Sequence, residues 1–395
     1  MTLDQNRCRT FAIDILLALL CLSAWGAGYL FIFSRKLILV RVLSLVAAGL
    51  SFLLYRRRQP KVYYLTLLYF LVYTVITFVV TFPYMTFATD AGFIDFLVIG
   101  LLIYSLLTFA TYNTTRSLRL FYWLSMVYIA AMFFMGCIEF STGWHMSGSA
   151  SLSIPIRSAS GLSYNPNDYA VLVALALLYC LSYRRVVCIG SKLWVDAVLV
   201  VLATAVFVMA ACRTAVVAEA LFLLFMFRKW VMRYWKILSV AAFGVVAVGI
   251  YLSVADNTLG YRFHLYLGAF SSLFDSYGLG FGIWGDRYYF SLQDNRDHLH
   301  GLTNAHSYLL QILLTSGLVP FLAYILLIAY IMHTMAHAGR NEFWVLPLLY
   351  LFLLFSPSSS LFLWGQYLSF VFIVCYACHV ERQNNGVETK GAICQ

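Results

Sequence analysis

Apolar residues run along this chain in long blocks, separated by short basic or aromatic stretches. Most blocks hold about 17–25 residues, the number that a helix needs to cross a hydrocarbon layer roughly 30 Å thick. Because such a layer offers no water to the backbone, each block must satisfy its own N–H and C=O groups as a helix. The pattern predicts an all-α polytopic membrane protein with about twelve transmembrane helices. The predicted spans are 10–33, 37–55, 63–84, 93–112, 118–138, 168–183, 194–212, 214–228, 236–254, 317–334, 343–357 and 360–380.

Basic residues fall mostly on one side of these predicted spans. With the N-terminus inside, most of the 26 lysines and arginines lie in cytoplasmic segments. The opposite orientation breaks the positive-inside rule at nearly every loop, so both termini are expected in the cytoplasm. The first span carries Asp14 and lacks a small-residue cleavage site, which favours a retained anchor over a signal peptide.

Two of the expected external segments are long. Residues 139–167 are rich in Ser and Gly, whereas 255–316 contains, in its first part, a concentration of Asp, Arg, His, Tyr and Trp. Loops of this length in compact proteins are usually functional or disordered, and the aromatic content argues against disorder. We expect a single integral membrane domain over residues 1–395, in which 255–316 forms a helical cap on the outer face and carries the active site.

Composition excludes an ordinary soluble enzyme. Hydrophobic residues make up 63% of the chain and charged residues 11%, against about 45–50% and 25% in soluble domains. The net charge of +10 is the expected result of basic cytoplasmic loops, so no nucleic-acid partner is expected. The nine cysteines lie mostly inside apolar blocks without paired spacing, which argues against a disulfide framework.

Arg213 departs from the positive-inside pattern. It lies in a hairpin between two apolar blocks, so its guanidinium must sit at or just inside the outer membrane surface. One interpretation is an interfacial arginine that extends to lipid headgroups. The other is a planar fork for a phosphate or pyrophosphate. Glu219, about 9 Å further along the helix, either orients Arg213 or faces the bundle interior. The other external arginines are Arg157, Arg262, Arg287 and Arg296.

Glycines alternate at Gly278, Gly280 and Gly282. This spacing allows close backbone approach or turns with positive φ. The glycines do not follow a strand and precede a helix, so a dinucleotide-binding fingerprint is rejected.

His306 is the candidate general base. Thr303 or Asn304 is a good N-cap, which predicts that His306 lies in the first turn of a helix at the outer face. There the helix dipole disfavours imidazolium and favours the neutral, base-competent form. The alternative is a structural histidine bonded to its own loop.

The spacing around His306 carries a resemblance to a known family. His306-Ser307, then nine residues, then Gly317 resembles the signature of the O-antigen ligase and O-antigen polymerase superfamily. Pro320 stands where this signature has Gly or Thr. Arg262, followed by fifteen residues and Gly278, resembles the external-loop arginine and Gly-x-Gly segment of the same family.

Two further segments carry the same resemblance. Arg213-Thr214-Ala215 is similar to the Ser-Arg-Thr-Ala hairpin of the family, with Cys212 in place of Ser. Asn165-Pro166-Asn167 resembles a segment found in the polymerase branch. The motifs occur in the family's order between about residues 160 and 335.

The resemblance implies a membrane-embedded, metal-independent glycosyltransferase of the C-type fold in the bacterial inner membrane, without a cofactor. Its donor is a saccharide on undecaprenyl pyrophosphate, presented at the periplasmic face. His306 is then the catalytic base, and Arg213 and Arg262 bind the pyrophosphate. The residues expected to support the site are Arg157, Asn165, Asn167, Glu219, Gly278, Gly280, Arg287, Asn304 and Ser307.

Three functions stay open at this point. A polymerase in lipopolysaccharide biosynthesis uses a lipid-linked repeat unit as acceptor, with a chain-length regulator protein as a further partner. A ligase transfers the finished polymer to lipid A-core; the Asn165-Pro166-Asn167 segment favours the polymerase. A transporter or flippase also suits twelve spans, but such proteins usually carry ionisable pairs or internal repeats.

Overall fold

The computed structural model describes residues 3–26, 38–54, 59–81, 90–145, 158–162, 165–187, 193–228, 233, 258–283, 289–290, 307–336, 345–355 and 364–384. Throughout these residues the regular structure is helical, as the sequence predicts. The helices are α1 Leu3–Trp25, α2 Ile38–Leu54, α3 Lys61–Thr81, α4 Asp90–Tyr112, α5 Thr114–Thr142, α6 Pro166–Val187, α7 Leu193–Met209, α8 Arg213–Met226, α9 Thr258–Asp275, α10 Tyr308–Ser316, α11 Leu318–Ala336, α12 Val345–Phe355 and α13 Trp364–Asn384.

Several of these helices are long and apolar enough to cross a membrane. By length and composition, four described segments qualify: Lys61–Thr81, Thr114–Thr142, Pro166–Arg184 and Leu318–Ala336. Every predicted span except 236–254 overlaps a described helix, and 236–254 lies outside the described residues. The described part of the chain is therefore all-helical and has the composition of a membrane protein. The twelve-span topology stays a prediction.

Two helices form the centre of the bundle. In α13 every side chain from residue 365 to 380 is buried, and in α6 every one from 169 to 184 is buried. Helix α13 packs against α1, α3, α4, α5, α6, α11 and α12. Gly365 lets α13 approach α6, because a Cβ there would lie 2.7 Å from a methyl carbon of Leu172. A helix that is apolar all round needs such surroundings, and α13 and α6 have them.

Polar contacts join helix ends that the sequence assigns to the cytoplasmic side. Glu381, near the end of α13, accepts hydrogen bonds from the N–H groups of Lys61 (3.0 Å) and Val62 (3.2 Å), which begin α3. Arg184, near the end of α6, pairs with Asp196 in the first turn of α7 at 2.5 Å. The consistent grouping of these ends supports alternating helix directions.

A second ion pair joins α1 to α5. Arg116, in the first turn of α5, pairs with Asp14. Asp14 lies inside the first predicted span, and its carboxylate is compensated by a guanidinium from the predicted cytoplasmic end of α5. This pairing is the usual condition for an ionised carboxylate within a membrane segment.

Candidate functional site

The alternating glycines run along the end of α10. The N–H of Phe281 donates to the carbonyl of Leu314 at 2.7 Å, and the N–H of Gly282 donates to that of Thr315 at 2.8 Å. The N–H of Leu318 returns a hydrogen bond to the carbonyl of Gly278 at 2.9 Å. Carbonyls at a helix end have no intrahelical partner, so this segment satisfies the last turn of α10.

Close backbone approach explains the glycine at two of these positions. A Cβ on Gly280 would lie 2.7 Å from the backbone nitrogen of Gly317, and one on Gly282 would lie 2.5 Å from the Cα of Thr81. Both glycines have φ of +81°. The N–H of Ile283 also donates to the hydroxyl of Thr81 at 2.9 Å, which ties the segment to the end of α3. The expectation of positive φ and close approach is confirmed.

Gly280→Ala is expected to destabilise the fold more than Gly278→Ala. Both positions have positive φ, at +81° and +78°, which costs an L residue about 1–2 kcal/mol. Only Gly280 faces neighbouring backbone, whereas a Cβ on Gly278 meets nothing within 4 Å. Overpacking adds about 1–3 kcal/mol at Gly280 alone. Thermal unfolding of both variants in detergent measures the difference, and equal midpoints would contradict the close approach.

Helix α10 is a buried element of the segment 255–316, which the sequence predicts to be external. Every side chain from Tyr308 to Ser316 is buried. The helix begins after Ser307, whose φ of −141° and ψ of 120° are extended. Ser307, and not Thr303 or Asn304, is therefore the N-cap of α10, so His306 is not in the first turn of this helix. The tertiary bond from the Ser307 hydroxyl to the Leu354 carbonyl of α12, at 3.4 Å, accompanies the extended backbone at this start. His306 and Asn304 themselves lie outside the described residues.

Helix α9 carries Arg262 and packs against α10. A separate apolar core joins the two helices. Its buried members are Leu265, Ala269, Phe281, Tyr289, Phe290, Leu310, Leu313 and Leu314. The Tyr289 hydroxyl donates to the Asp275 carboxylate at 2.6 Å and thereby holds the end of α9. The backbone of Arg262 lies one turn before this core begins, and its side chain lies outside the described part of the chain.

Arg213 is the first residue of α8 and is exposed. A tight turn precedes it, in which Ala211 has φ of +52° and the N–H of Cys212 donates to the carbonyl of Phe207 at 3.0 Å. Glu219 faces the bundle interior, and its two carboxylate oxygens lie 3.0 and 2.9 Å from the hydroxyl of Thr204 on α7. Helix α12 packs against both α8 and α10, so the helix that begins with Arg213 and the helix after His306 share a neighbour.

The Asn165-Pro166-Asn167 segment starts α6. The side-chain oxygen of Asn165 accepts the N–H of Asn167 at 2.9 Å, and its carbonyl accepts the N–H of Tyr169 at 3.1 Å. Asn is a favoured N-cap, and Pro at the next position loses no hydrogen bond. Helix initiation therefore accounts for these three residue types. Arg157 and Arg287 lie outside the described residues.

Glu139 is a buried acid that the sequence analysis missed. The predicted span ended at residue 138, but α5 continues to Thr142 and brings the carboxylate into the protein. One oxygen accepts the N–H groups of Ser160 (2.6 Å) and Gly161 (2.9 Å), and the Nδ1 of His145 lies 3.7 Å from it. The available signal was an acidic residue directly after an apolar block, before a Ser- and Gly-rich segment.

A cluster of buried tyrosines surrounds the first residue of α10. The ring of Tyr308 contacts those of Tyr324 on α11 and Tyr367 on α13, at centroid distances of 5.8 and 5.9 Å. Tyr324 also meets Tyr69 of α3, and its hydroxyl lies 3.3 Å from that of Tyr350 on α12. The start of α10 is thus held by contacts with several helices at once.

An apolar groove of about 400 Å³ lies between α3 and α11. Its walls include Leu68 and Val72 from α3 and Val319, Ala323 and Leu326 from α11. Leu68, Val319 and Leu326 are exposed on the protein surface, so the groove faces the region where lipid chains would lie. Its lining suits an acyl or isoprenoid chain.

No protein-family model matches the chain, and no curated protein matches its sequence.

Proposed function

We propose that this protein is a glycosyltransferase that polymerises lipid-linked oligosaccharide repeat units at the outer face of the membrane. One observation carries the proposal: α9, which bears Arg262, and α10, which follows His306, form a single packed unit. Residues 278–282, which we name the glycine segment, bond to the last turn of α10 and complete this unit. The helix that bears Arg262 and the alternating glycines, which are separate motifs in the sequence, thereby pack against the same helix.

The proposed reaction needs a base and a cationic site. The acceptor hydroxyl attacks the anomeric carbon of the donor saccharide and loses its proton to His306. The new glycosidic bond forms as the bond from the anomeric carbon to the pyrophosphate oxygen breaks. Undecaprenyl pyrophosphate leaves with the electron pair, and guanidinium groups of Arg213 and Arg262 stabilise the negative charge that develops on it.

The position of Arg213 supports its part in this scheme. It is exposed and begins a helix. The positive end of the helix dipole favours an anion at the same place. Arginine adds a planar fork that matches two phosphate oxygens. The interfacial interpretation of Arg213 predicts lipid headgroup contact instead, and substitution by lysine distinguishes the two.

The apolar groove between α3 and α11 supports a polyprenyl donor. Pro320 and Val319, near the start of α11, line one part of the groove. They lie two and three residues after Gly317, which contacts the backbone of Gly278 and Leu279. A chain in the groove would therefore have its polar end near the α9 and α10 unit. We place the protein in the bacterial inner membrane, with the lipid-linked repeat unit as acceptor and a chain-length regulator as a further partner.

Deletion of the gene in the source bacterium tests the proposal. Gel analysis of the surface polysaccharide is expected to show core bearing a single repeat unit, because capping of the core continues while elongation stops. Plasmid-borne wild-type protein should restore the ladder. Complete loss of capped core with accumulation of lipid-linked polymer would identify a ligase. Accumulation of unpolymerised repeat units on the cytoplasmic leaflet would identify a flippase.

A further inference from the structure

Glu139 lies in the last turn of α5 and is 2% exposed. A single oxygen of its carboxylate accepts two backbone N–H groups, those of Ser160 and Gly161, at 2.6 and 2.9 Å. Hydrogen bonds to an ionised acceptor are roughly twice as strong as neutral ones. The carboxylate therefore fixes the backbone of residues 158–161, which we name the anchored segment, to the end of α5.

The anchored segment is wedged between three helices. The N–H of Ala159 donates to the carbonyl of Met209, the last residue of α7, at 2.9 Å. Gly161 has φ of +55°, and a Cβ there would lie 2.5 Å from the ring of Tyr169 on α6. The Tyr169 hydroxyl in turn donates to the carbonyl of Met132 on α5 at 2.5 Å. These contacts fix the position of the anchored segment relative to α5, α6 and α7.

Met209, which the anchored segment contacts, is separated from Arg213 only by a short turn. The turn between them is closed by backbone hydrogen bonds from Ala210, Ala211 and Cys212 to the last turn of α7. A turn closed in this way transmits the position of Met209 to the first residue of α8.

We infer that Glu139 is a positioning residue that sets the location of the Arg213 guanidinium for the diphosphate of the lipid-linked donor. This inference rests on the proposed function. It assigns Glu139 no contact with the donor, because the carboxylate is buried and committed to backbone N–H groups. A displacement of about 1 Å at a positioning contact can cost as much as about 100-fold in rate.

The chemistry of the anchor predicts a graded series of variants. Glu139→Gln keeps an oxygen at the same reach, so it can still accept both N–H groups. Glu139→Ala removes the acceptor and leaves both N–H groups buried without it. Glu381→Ala is the matched control. Glu381 also accepts two backbone N–H groups, but it joins the start of α3 to the end of α13, on the side predicted to be cytoplasmic.

The test uses purified full-length protein with an undecaprenyl-pyrophosphate-linked repeat unit, varied in concentration. Glu139→Ala is expected to raise the KM for this donor about tenfold. Glu139→Gln should stay within about threefold of wild type, and Glu381→Ala should leave the KM unchanged. A purely structural role lowers the fraction of active molecules, and hence the apparent kcat, without moving the KM. Hydrogen–deuterium exchange of residues 158–162 should increase in Glu139→Ala.

The outcomes separate the two proposals. Absence of turnover by folded wild-type protein rejects the proposed function, and the positioning role with it. Active wild type with an unchanged KM in Glu139→Ala overturns the positioning role alone. Unchanged exchange at residues 158–162 in that variant overturns the anchor itself.

Discussion

Replacement of His306 by Ala is expected to abolish chain elongation while the protein stays inserted in the membrane. A well-placed general base typically contributes about 100-fold to 10,000-fold to the rate, and His306 is the residue to which the proposed reaction assigns this role. The measurement is the length distribution of surface polysaccharide in cells that carry the variant, with the amount of membrane protein quantified in parallel.

His333→Ala is the control for His306→Ala. His333 is an exposed histidine in the last turn of α11, at the far end of that helix from the signature glycine. Its removal should leave the polysaccharide ladder intact. Polysaccharide of normal length from a well-expressed His306→Ala protein would show that the imidazole is structural.

Arg213→Lys is expected to lower kcat/KM for the lipid-linked donor by about 10- to 100-fold, although the charge is kept. Lysine offers a point charge in place of the bidentate fork that arginine presents to two phosphate oxygens. A headgroup-binding arginine would tolerate the same change, because a lysine also extends to the interface. The assay follows release of undecaprenyl pyrophosphate at varied donor concentration.

Arg228→Lys provides the matched control on the same helix. Arg228 lies just beyond the opposite end of α8, where its guanidinium stacks on Phe225 at 4.9 Å from the ring centroid. This substitution should leave kcat/KM within about twofold of wild type, as expected for a change outside the site. Full activity of Arg213→Lys would remove the case for diphosphate binding at that residue.

The membrane helices could be read from the sequence because hydrophobic length is a local property. The predicted span 63–84 corresponds to α3, Lys61–Thr81, and the predicted span 168–183 lies within α6, Pro166–Val187. Glu381 meets the start of α3 and Arg184 meets Asp196, so these contacts join helix ends that the basic residues assign to one side. The orientation of the helices in a membrane stays a prediction.

Properties that depend on distant contacts could not be read in this way. Ser307 starts α10 with an extended backbone and a bond to the carbonyl of Leu354, whereas local capping rules favoured Thr303 or Asn304. Glu139 marked the end of a span in the sequence, because a hydropathy pattern stops at a charge. Its partners, Ser160 and Gly161, lie about twenty residues further along the chain, and no local pattern pairs them.

The glycine segment illustrates both situations. Alternation of Gly278, Gly280 and Gly282 predicted positive φ and close approach, since only glycine allows both without strain. The surface approached is the last turn of α10 together with Thr81 of α3, far along the chain in both directions. The sequence could indicate the conformation but not the partner.

Incubation of the purified wild-type protein with lipid-linked repeat units, without an ion gradient, tests the central claim most directly. The account predicts a ladder of lengthened lipid-linked saccharides, with one undecaprenyl pyrophosphate released for each glycosidic bond. The same folded protein carrying His306→Ala should give neither product. Repeat units that stay unlengthened with the wild-type protein, or that only move across the bilayer when a gradient is applied, would contradict the assignment as a glycosyltransferase.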